Sequence, residues 1–470
     1  MLNLRTFVFI FLLGCLLAAC TSEQVSIPVP TLTPSPEEPT SIVTPPQPAT
    51  ATLEPPAPTA EPAVPGVSEE DLRGQIVRFW HPWSGDKEFV LLALVNQFNA
   101  SNPHGITVVA FSQGSDLYTN LRASLGTELM PEVVMAYSNQ IHSWDYYGGR
   151  VVDLRDFLQD PQWGFSPQEL ADYYAPFWEH TDLFETKLLG LPAYRSAMVL
   201  FYNASWAQEL GYPDSPNMPS EFAEQACAAA TTRGTGLLVS SDVASTLSWM
   251  LAFGGGVLDS AGQGYEIDTP ENQAAFEFMK DLLEDGCAEV PAERYPNAAF
   301  ADRQGLFYAS SMAGLPFQQA AFEKVSSQDR WLVLPFPGVE GQPVLNVYGG
   351  DYALLADAPA SQLASWLFIR WMSQPENQAQ WVISSAYLPT RVGTLAYLDE
   401  YLLENPHYQA AIALIPYSRS EPTLGSWGVA RYALSDGANQ LFDPDFPADQ
   451  IPSLLAEIEQ LMVETHLQNR

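Results

Sequence analysis

Only four lysines occur in 470 residues, and lysine and arginine together number 20 against 55 acidic residues, for a formal charge of −35. That balance argues against a nucleic-acid partner, whose phosphates require a basic footprint. It also works against strongly anionic ligands unless arginines gather locally. Cysteine is scarce: of four, only Cys227 and Cys287 lie beyond the first twenty residues. No later stretch holds 18 uncharged apolar residues, so no second membrane segment is expected. The G-x-S-x-G, H-E-x-x-H, P-loop and G-x-G-x-x-G motifs are all missing. The six histidines are scattered, none at metal-ligand spacing, so neither metal nor cofactor is expected. His81 alone falls on a candidate binding loop, where a hydrogen-bonding role suits it better than ligation.

What is present begins with an address. Arg5 precedes an apolar run over residues 7–17, which ends in Leu17-Ala18-Ala19-Cys20. A charged start, a short apolar core and small residues describe a secretory signal, too short to be a typical membrane span. The cysteine after Ala18-Ala19 resembles the lipobox of bacterial lipoproteins. That resemblance implies removal of residues 1–19 and lipidation of Cys20, giving an extracytoplasmic chain anchored to the membrane. The alternative is an ordinary signal with an incidental cysteine. Residues 21–66 carry thirteen prolines and no aromatic residue. Such a stretch cannot offset the entropy of ordering, so residues 20–70 read as a disordered tether favouring polyproline II. Fully extended, it reaches on the order of 140 Å.

The body, residues 71–470, is globular in composition: 47% of the whole chain is apolar and 12% aromatic. A body of about 400 residues exceeds the roughly 250–300 at which single cores stop growing, so two lobes are expected. Cys227 sits within a helical segment over 222–230 and Cys287 directly after one over 276–286. In an oxidising compartment two remaining cysteines suggest a disulfide, with two buried thiols as the alternative. At the start of the body, 75–80 reads as a strand, 88–100 as a helix closed by Asn102-Pro103, and 106–111 as a strand. Residues 116–126 then form a helix and 132–136 a strand. A β-α-β-α-β order implies a mostly parallel sheet, with ligands beyond the carboxyl ends of its strands. Three loops result: Trp80-His81-Pro82-Trp83-Ser84-Gly85, Ser112-Gln113-Gly114-Ser115 and Tyr137-Ser138-Asn139-Gln140.

Several motifs in order carry a resemblance. Phe79-Trp80-His81-Pro82-Trp83-Ser84-Gly85 is followed by Leu94-Val95-Asn96-Gln97-Phe98-Asn99-Ala100-Ser101-Asn102-Pro103, Pro131-Glu132-Val133-Val134-Met135-Ala136 and Gly149-Arg150-Val151-Val152-Asp153-Leu154. Gly190-Leu191-Pro192-Ala193-Tyr194-Arg195, Leu200-Phe201-Tyr202-Asn203, Tyr348-Gly349-Gly350-Asp351-Tyr352 and Ala364-Ser365-Trp366-Leu367 complete the series. Together they resemble the extracellular solute-binding proteins of family 1, the carbohydrate-binding receptors of ABC importers, of the maltose-binding-protein-like kind. The resemblance implies a periplasmic-binding-protein-like type II α/β fold. Lobe one would hold 71–197 plus 350–395 and lobe two 198–349 plus 396–470, with a hinge and a central cleft. It implies a monomer that hands a sugar or oligosaccharide to a permease, without catalysis. Aromatic faces for sugar rings would come from Trp80, Trp83, Tyr137, Tyr194, Trp249 and Trp427. Polar partners would be Ser84, Gln113, Ser138, Asn139, Arg195, Ser310, Ser311 and Asp351. For each aromatic the competing role is core packing; Asp351 could instead cap a turn, and Arg195 could pair with a carboxylate across the hinge. The family's frequent tryptophan over 312–316 is missing, with Gly314-Leu315 in its place.

Two other classes fit parts of this pattern. An anchored glycan hydrolase would need paired carboxylates, which 55 acidic residues make easy to imagine and impossible to assign. An adhesion module would need an exposed sticky face. Polyols and sugar phosphates remain alternative ligands for a receptor.

Overall fold

The computed structural model describes Val64 and residues 66–179, 187–232 and 234–469. The signal, Cys20 and most of the tether lie outside the described residues. The folded body reaches further back than residue 71. Val64 and Leu72 are buried in the first core, and a short 3-10 turn, Glu69–Leu72, carries Ser68 and Asp71 bonded to each other. A valine flanked by prolines gives no compositional sign of that anchorage.

Among the described residues ten strands form one sheet: β1 (Ile76–His81), β2 (Thr107–Ser112), β3 (Val133–Tyr137), β4 (Leu191–Asn203), β5 (Thr235–Leu238), β6 (Ala288–Glu289), β7 (Gly305–Ser311), β8 (Trp331–Leu334), β9 (Leu345–Leu354) and β10 (Ser418–Ser420). The path runs β2-β1-β3-β9-β4-β7-β5-β6, with β10 added to β9 and β8 to β4. At one end β1 pairs in parallel with β2 and β3. At the other, β5 pairs in parallel with β6 and β7. Between these two parallel blocks run β9 and β4, antiparallel to each other and to β3 and β7. Parallel strands need crossovers, here helices, which is why apolar runs and longer helical runs alternate in the sequence.

The first block follows its expected order with small shifts. Helix α1 (Asp86–Ser101) starts after Gly85, whose φ of 64° suits glycine, and ends where Asn102 bonds the backbone at Phe98 and Ile106. Helix α2 (Leu117–Ser124) is shorter than the expected 116–126. His81 is not a loop residue: it pairs with Ser112 as the last residue of β1 and faces inward with Val77 and Phe79. Residues 137–140 are not a loop either. Tyr137 ends β3, and helix α3 (Ser138–Gly148) begins at once, closing on left-handed Gly149.

Apolar side chains gather in separate cores. The first surrounds β1 and β3, with Phe79, Leu94, Phe98, Leu354, Trp366 and Phe368, and a separate smaller cluster on the other face of β3 holds Leu121, Val134, Ile141 and Trp144. The second holds Leu200, Tyr202, Phe222, Trp249, Phe307, Trp427, Leu434 and Ile458. A third lies under the crossing strands, with Val199, Phe201, Trp331, Val347, Val382 and Tyr408. Cys227 and Cys287 are joined, Sγ–Sγ 2.00 Å and Cα–Cα 4.4 Å, and both belong with the second core. No described helix is long and apolar enough to cross a membrane.

Candidate functional site

The carboxyl end of β3 meets the middle of β9, with Tyr137 opposite Gly350 and Ala136 opposite Asp351. On the other edge of β9, Tyr194 of β4 also stands opposite Gly350. A Cβ at Gly350 would come 2.7 Å from the Tyr194 ring, and one at Gly349 2.1 Å from the Tyr194 carbonyl. Gly350 therefore leaves room for the Tyr194 ring and Gly349 for the close β4–β9 backbone approach. On it packs Tyr387, centroids 4.7 Å apart, while Trp83 meets Tyr194 at 5.2 Å and Tyr387 at 5.5 Å. Lys87, in the first turn of α1, holds its Nζ 4.5 Å above the Tyr387 ring and 5.4 Å above Trp83, and donates to the Tyr387 hydroxyl at 3.3 Å. Burial lowers the Lys87 pKa. No carboxylate lies within ion-pair distance of it among the described residues.

Tyr137 stands at the seam between the first and second cores. Its ring is 38% exposed, yet its hydroxyl end is enclosed enough that burial raises its pKa, with Arg431 opposing and Glu421 and Tyr432 adding to the rise. Glu421 is buried and accepts from Trp427 Nε1 at 2.9 Å and from Arg431 Nη1 at 2.9 Å. Burial raises the Glu421 carboxyl pKa, and Arg431 is the first group to oppose it. Nearby, Tyr348 of β9 is half-buried; burial drives its phenol up and Ser311 opposes. Ser311 and Ser196 hydroxyls are 2.9 Å apart. Asp242 caps the helix Val243–Ala252 by accepting from the Ser245 amide at 3.1 Å. Tyr194 and Tyr387 are buried in the first core, so the aromatic face left open here is that of Tyr137, with hydroxyls, amides and one paired carboxylate nearby, a setting suited to a neutral polar ring. No cluster of metal-ligating side chains occurs among the described residues.

A family described as bacterial extracellular solute-binding protein matches residues 93–410, more than half of the chain. The chain belongs to that family. Two proteins named as binding proteins, from Brucella abortus (strain 2308) and Brucella suis biovar 1 (strain 1330), are 22% identical over 290 residues, 58% of this chain and 68% of theirs. Among solved structures, the sugar-binding protein MalE of Xanthomonas citri superimposes with a TM-score of 0.71 at 19% identity, over 84% of this chain and 98% of that one. The cyclic alpha-maltosyl-1,6-maltose binding protein of Arthrobacter globiformis gives 0.70 at 18%, covering 84% and 99%. UgpB of Mycobacterium tuberculosis, in complex with glycerophosphocholine, gives 0.67 at 20%, covering 84% and 100%. The fold is thus the α/β binding-protein fold that the motifs implied, and the family is extracytoplasmic.

Within this solute-binding protein the expected site residues scatter. Tyr137, Tyr194 and Trp83 join one aromatic cluster, but Tyr194 is 2% exposed inside the first core, so packing and not ligand stacking is its role; Ser138, Asn139 and Ser310 are buried and Ser311 half-buried at strand and helix ends. Trp80 and Gln113 instead share a separate groove of about 440 Å³ with Arg78, Phe111 and Asn120, and Gln113 accepts from Asn120 at 2.9 Å. Ser84 is exposed on its loop. The structure corrects four further expectations. Trp249 is a core residue, its ring enclosed by Phe222, Phe278 and Phe336 at 5.0–5.2 Å. Trp427 is 1% exposed and spends its indole N–H on Glu421. Arg195 and Asp351 are both fully buried and neutralise each other at 2.9 Å, Arg195 also donating to the carbonyls of Tyr194, Gly350 and Phe177. Ser138 Oγ donates to the other Asp351 oxygen.

Missed by sequence reasoning were Lys87, Tyr348, Tyr387, Glu421 and Arg431. Tyr348 and Arg431 sit inside stretches already noted, beside Gly349-Gly350 and Trp427; Glu421 has no local signal. A larger groove of about 720 Å³, lined by Phe322, Trp331 and His407 among others, contains none of the expected residues.

Proposed function

We propose that this protein is the lipid-anchored receptor of an ABC importer, capturing a sugar or oligosaccharide between two lobes and delivering it to a permease. The observation that carries the reading is Tyr137, partly exposed at the carboxyl end of β3, beside the first-core packing of Tyr194, Tyr387 and Trp83 and facing Arg431 and Glu421. Flat apolar faces beside hydroxyl and amide groups suit the two kinds of surface on a pyranose ring. Lobe one takes 71–197 plus 350–395 and lobe two 198–349 plus 396–470, β4 and β9 serving as the crossing strands. Capture stabilises the closed form, and closure reports occupancy to the permease. The signal sequence, Cys20 and the proline-rich tether supply the anchor and its reach.

A polyol or sugar phosphate is the second reading, favoured by the single half-buried ammonium of Lys87 that lacks a carboxylate partner. A thermal-shift screen against saccharides, polyols and sugar phosphates tests both. A compound at 100 times its dissociation constant adds about 2.7 kcal/mol to a folded state that alone binds it. A saccharide hit recovered unchanged supports the receptor; a hit confined to phosphorylated compounds supports the second reading. Conversion of a hit to products overturns both in favour of an enzyme.

A further inference from the structure

Where the second core meets helix α3, two glycines stand in for side chains. The turn Trp427–Ala430 belongs to the second core through Trp427 and Ala430, while α3 belongs to the smaller cluster beside β3 through Ile141 and Trp144. A Cβ on Gly425 would lie 3.0 Å from Ser143 Cα and 3.1 Å from Ser143 N. A Cβ on Gly428 would lie 2.9 Å from Asn139 Nδ2. Neither glycine has a positive φ, so backbone conformation does not require them. What they supply is the absence of a side chain facing Asn139 and Ser143, residues four apart and hence on one face of α3. That face cannot retreat easily. Asn139 and Ser143 are buried, the Ser143 hydroxyl is bonded to Tyr118 at 2.8 Å, and the Gly425 approach is to backbone.

We propose that Gly425 and Gly428 are positioning residues for ligand capture, forming the stop against which the lobes close and so setting the width of the seam at Tyr137. This rests on the two-lobe receptor reading. A side chain at either position holds the lobes apart and weakens every ligand by a similar factor, because the closure equilibrium shifts and no ligand contact is removed. Gly425 is the harder stop, since backbone opposes it, and Gly428 the softer, since the end of a side chain does.

The test compares wild type with G425V, G428A, N139A and N139A/G428A by small-angle X-ray scattering and by calorimetric titration with the panel saccharide that shifts the wild type most. G425V is expected to scatter as a more extended particle and to bind about tenfold more weakly or worse. G428A is expected to weaken binding less, and to do so only while Asn139 is present: N139A/G428A then matches N139A alone, the non-additivity that marks a direct contact. Scattering and affinity unchanged in both G425V and G428A would overturn the proposal. So would purely additive losses in the double variant. Should G425V not fold, the N139A/G428A comparison decides alone. Should no saccharide bind the wild type, the receptor reading fails, while the scattering comparison still reports on the stop.

Discussion

Mild acid should weaken this protein through one identifiable residue. His81 ends β1 fully buried, its ring 5.6 Å from that of Phe79, and burial lowers its pKa from 6.5 to about 4, which the Trp83 backbone offsets only slightly. With the folded pKa depressed, the unfolded chain accepts a proton that the native chain refuses. His81 therefore costs nothing above pH 6.5, and stability drains as the pH falls from there towards 4. A gap of about 2.5 units corresponds to about 3.4 kcal/mol in full, with about 1.4 lost at pH 5.5 and about 3 at pH 4. Urea unfolding followed by tryptophan fluorescence at pH 7, 5.5 and 4 would read this in wild type and in His81→Phe, which keeps a ring of similar size. Carboxylates titrating in both proteins cancel in the difference, so wild type should lose about 3 kcal/mol relative to the variant between pH 7 and 4, whichever is the more stable at pH 7. Curves that stay parallel from pH 7 to 4 would refute the reasoning, since His81 would then be charged inside the fold or reached by water.

Three further expectations concern other parts of the fold. Removing the disulfide as C227S/C287S reopens a 60-residue separation, and the chain-entropy model gives a loss of about 4 kcal/mol, or roughly 5 °C in Tm by calorimetry. Asp351→Asn leaves Arg195 buried without its counter-charge and should cost about 3–5 kcal/mol in chemical denaturation; Arg195→Met in the same chain should recover part of it. Tyr137→Ala should leave Tm nearly unchanged while weakening saccharide binding about tenfold. Trp249→Ala should do the reverse, costing about 3–5 kcal/mol of stability through the cavity it opens. If Tyr137→Ala binds as well as wild type, the stacking role assigned to that ring is wrong.

The strand–helix alternation of the first block was legible because Asn102-Pro103 and short apolar runs punctuate it locally. The family was legible from the order of many weak motifs. Which aromatics face a ligand was not, because that depends on segments far apart in the chain. Trp249 looks like a binding residue beside Gly254-Gly255-Gly256, until Phe222, Phe278 and Phe336 arrive from three other segments to enclose it. Tyr387 looks like any tyrosine, until the Tyr194 ring, given room by Gly350, offers it a partner. Arg195 and Asp351 carry the charges expected of ligand groups, but the β4–β9 pairing brings them together and uses them up. The error at the body's start has the same origin: Val64 is held by the distant core, in a stretch whose own composition reads as tether.

The thirteen residues of β4 are buried without exception. Leu191, Ala193 and Tyr194 enter the first core, Ala197, Val199 and Phe201 the third, and Met198, Leu200 and Tyr202 the second. One strand is thus a structural member of the three largest cores, alternating between two of them along its second half. Neither end of the sheet can melt without stripping partners from the same backbone segment, which ties the two halves into one cooperative unit. On the proposed two-lobe mechanism, a receptor whose halves move against each other is in this way spared the usual hazard of mobile assemblies, in which one half unfolds while the other persists.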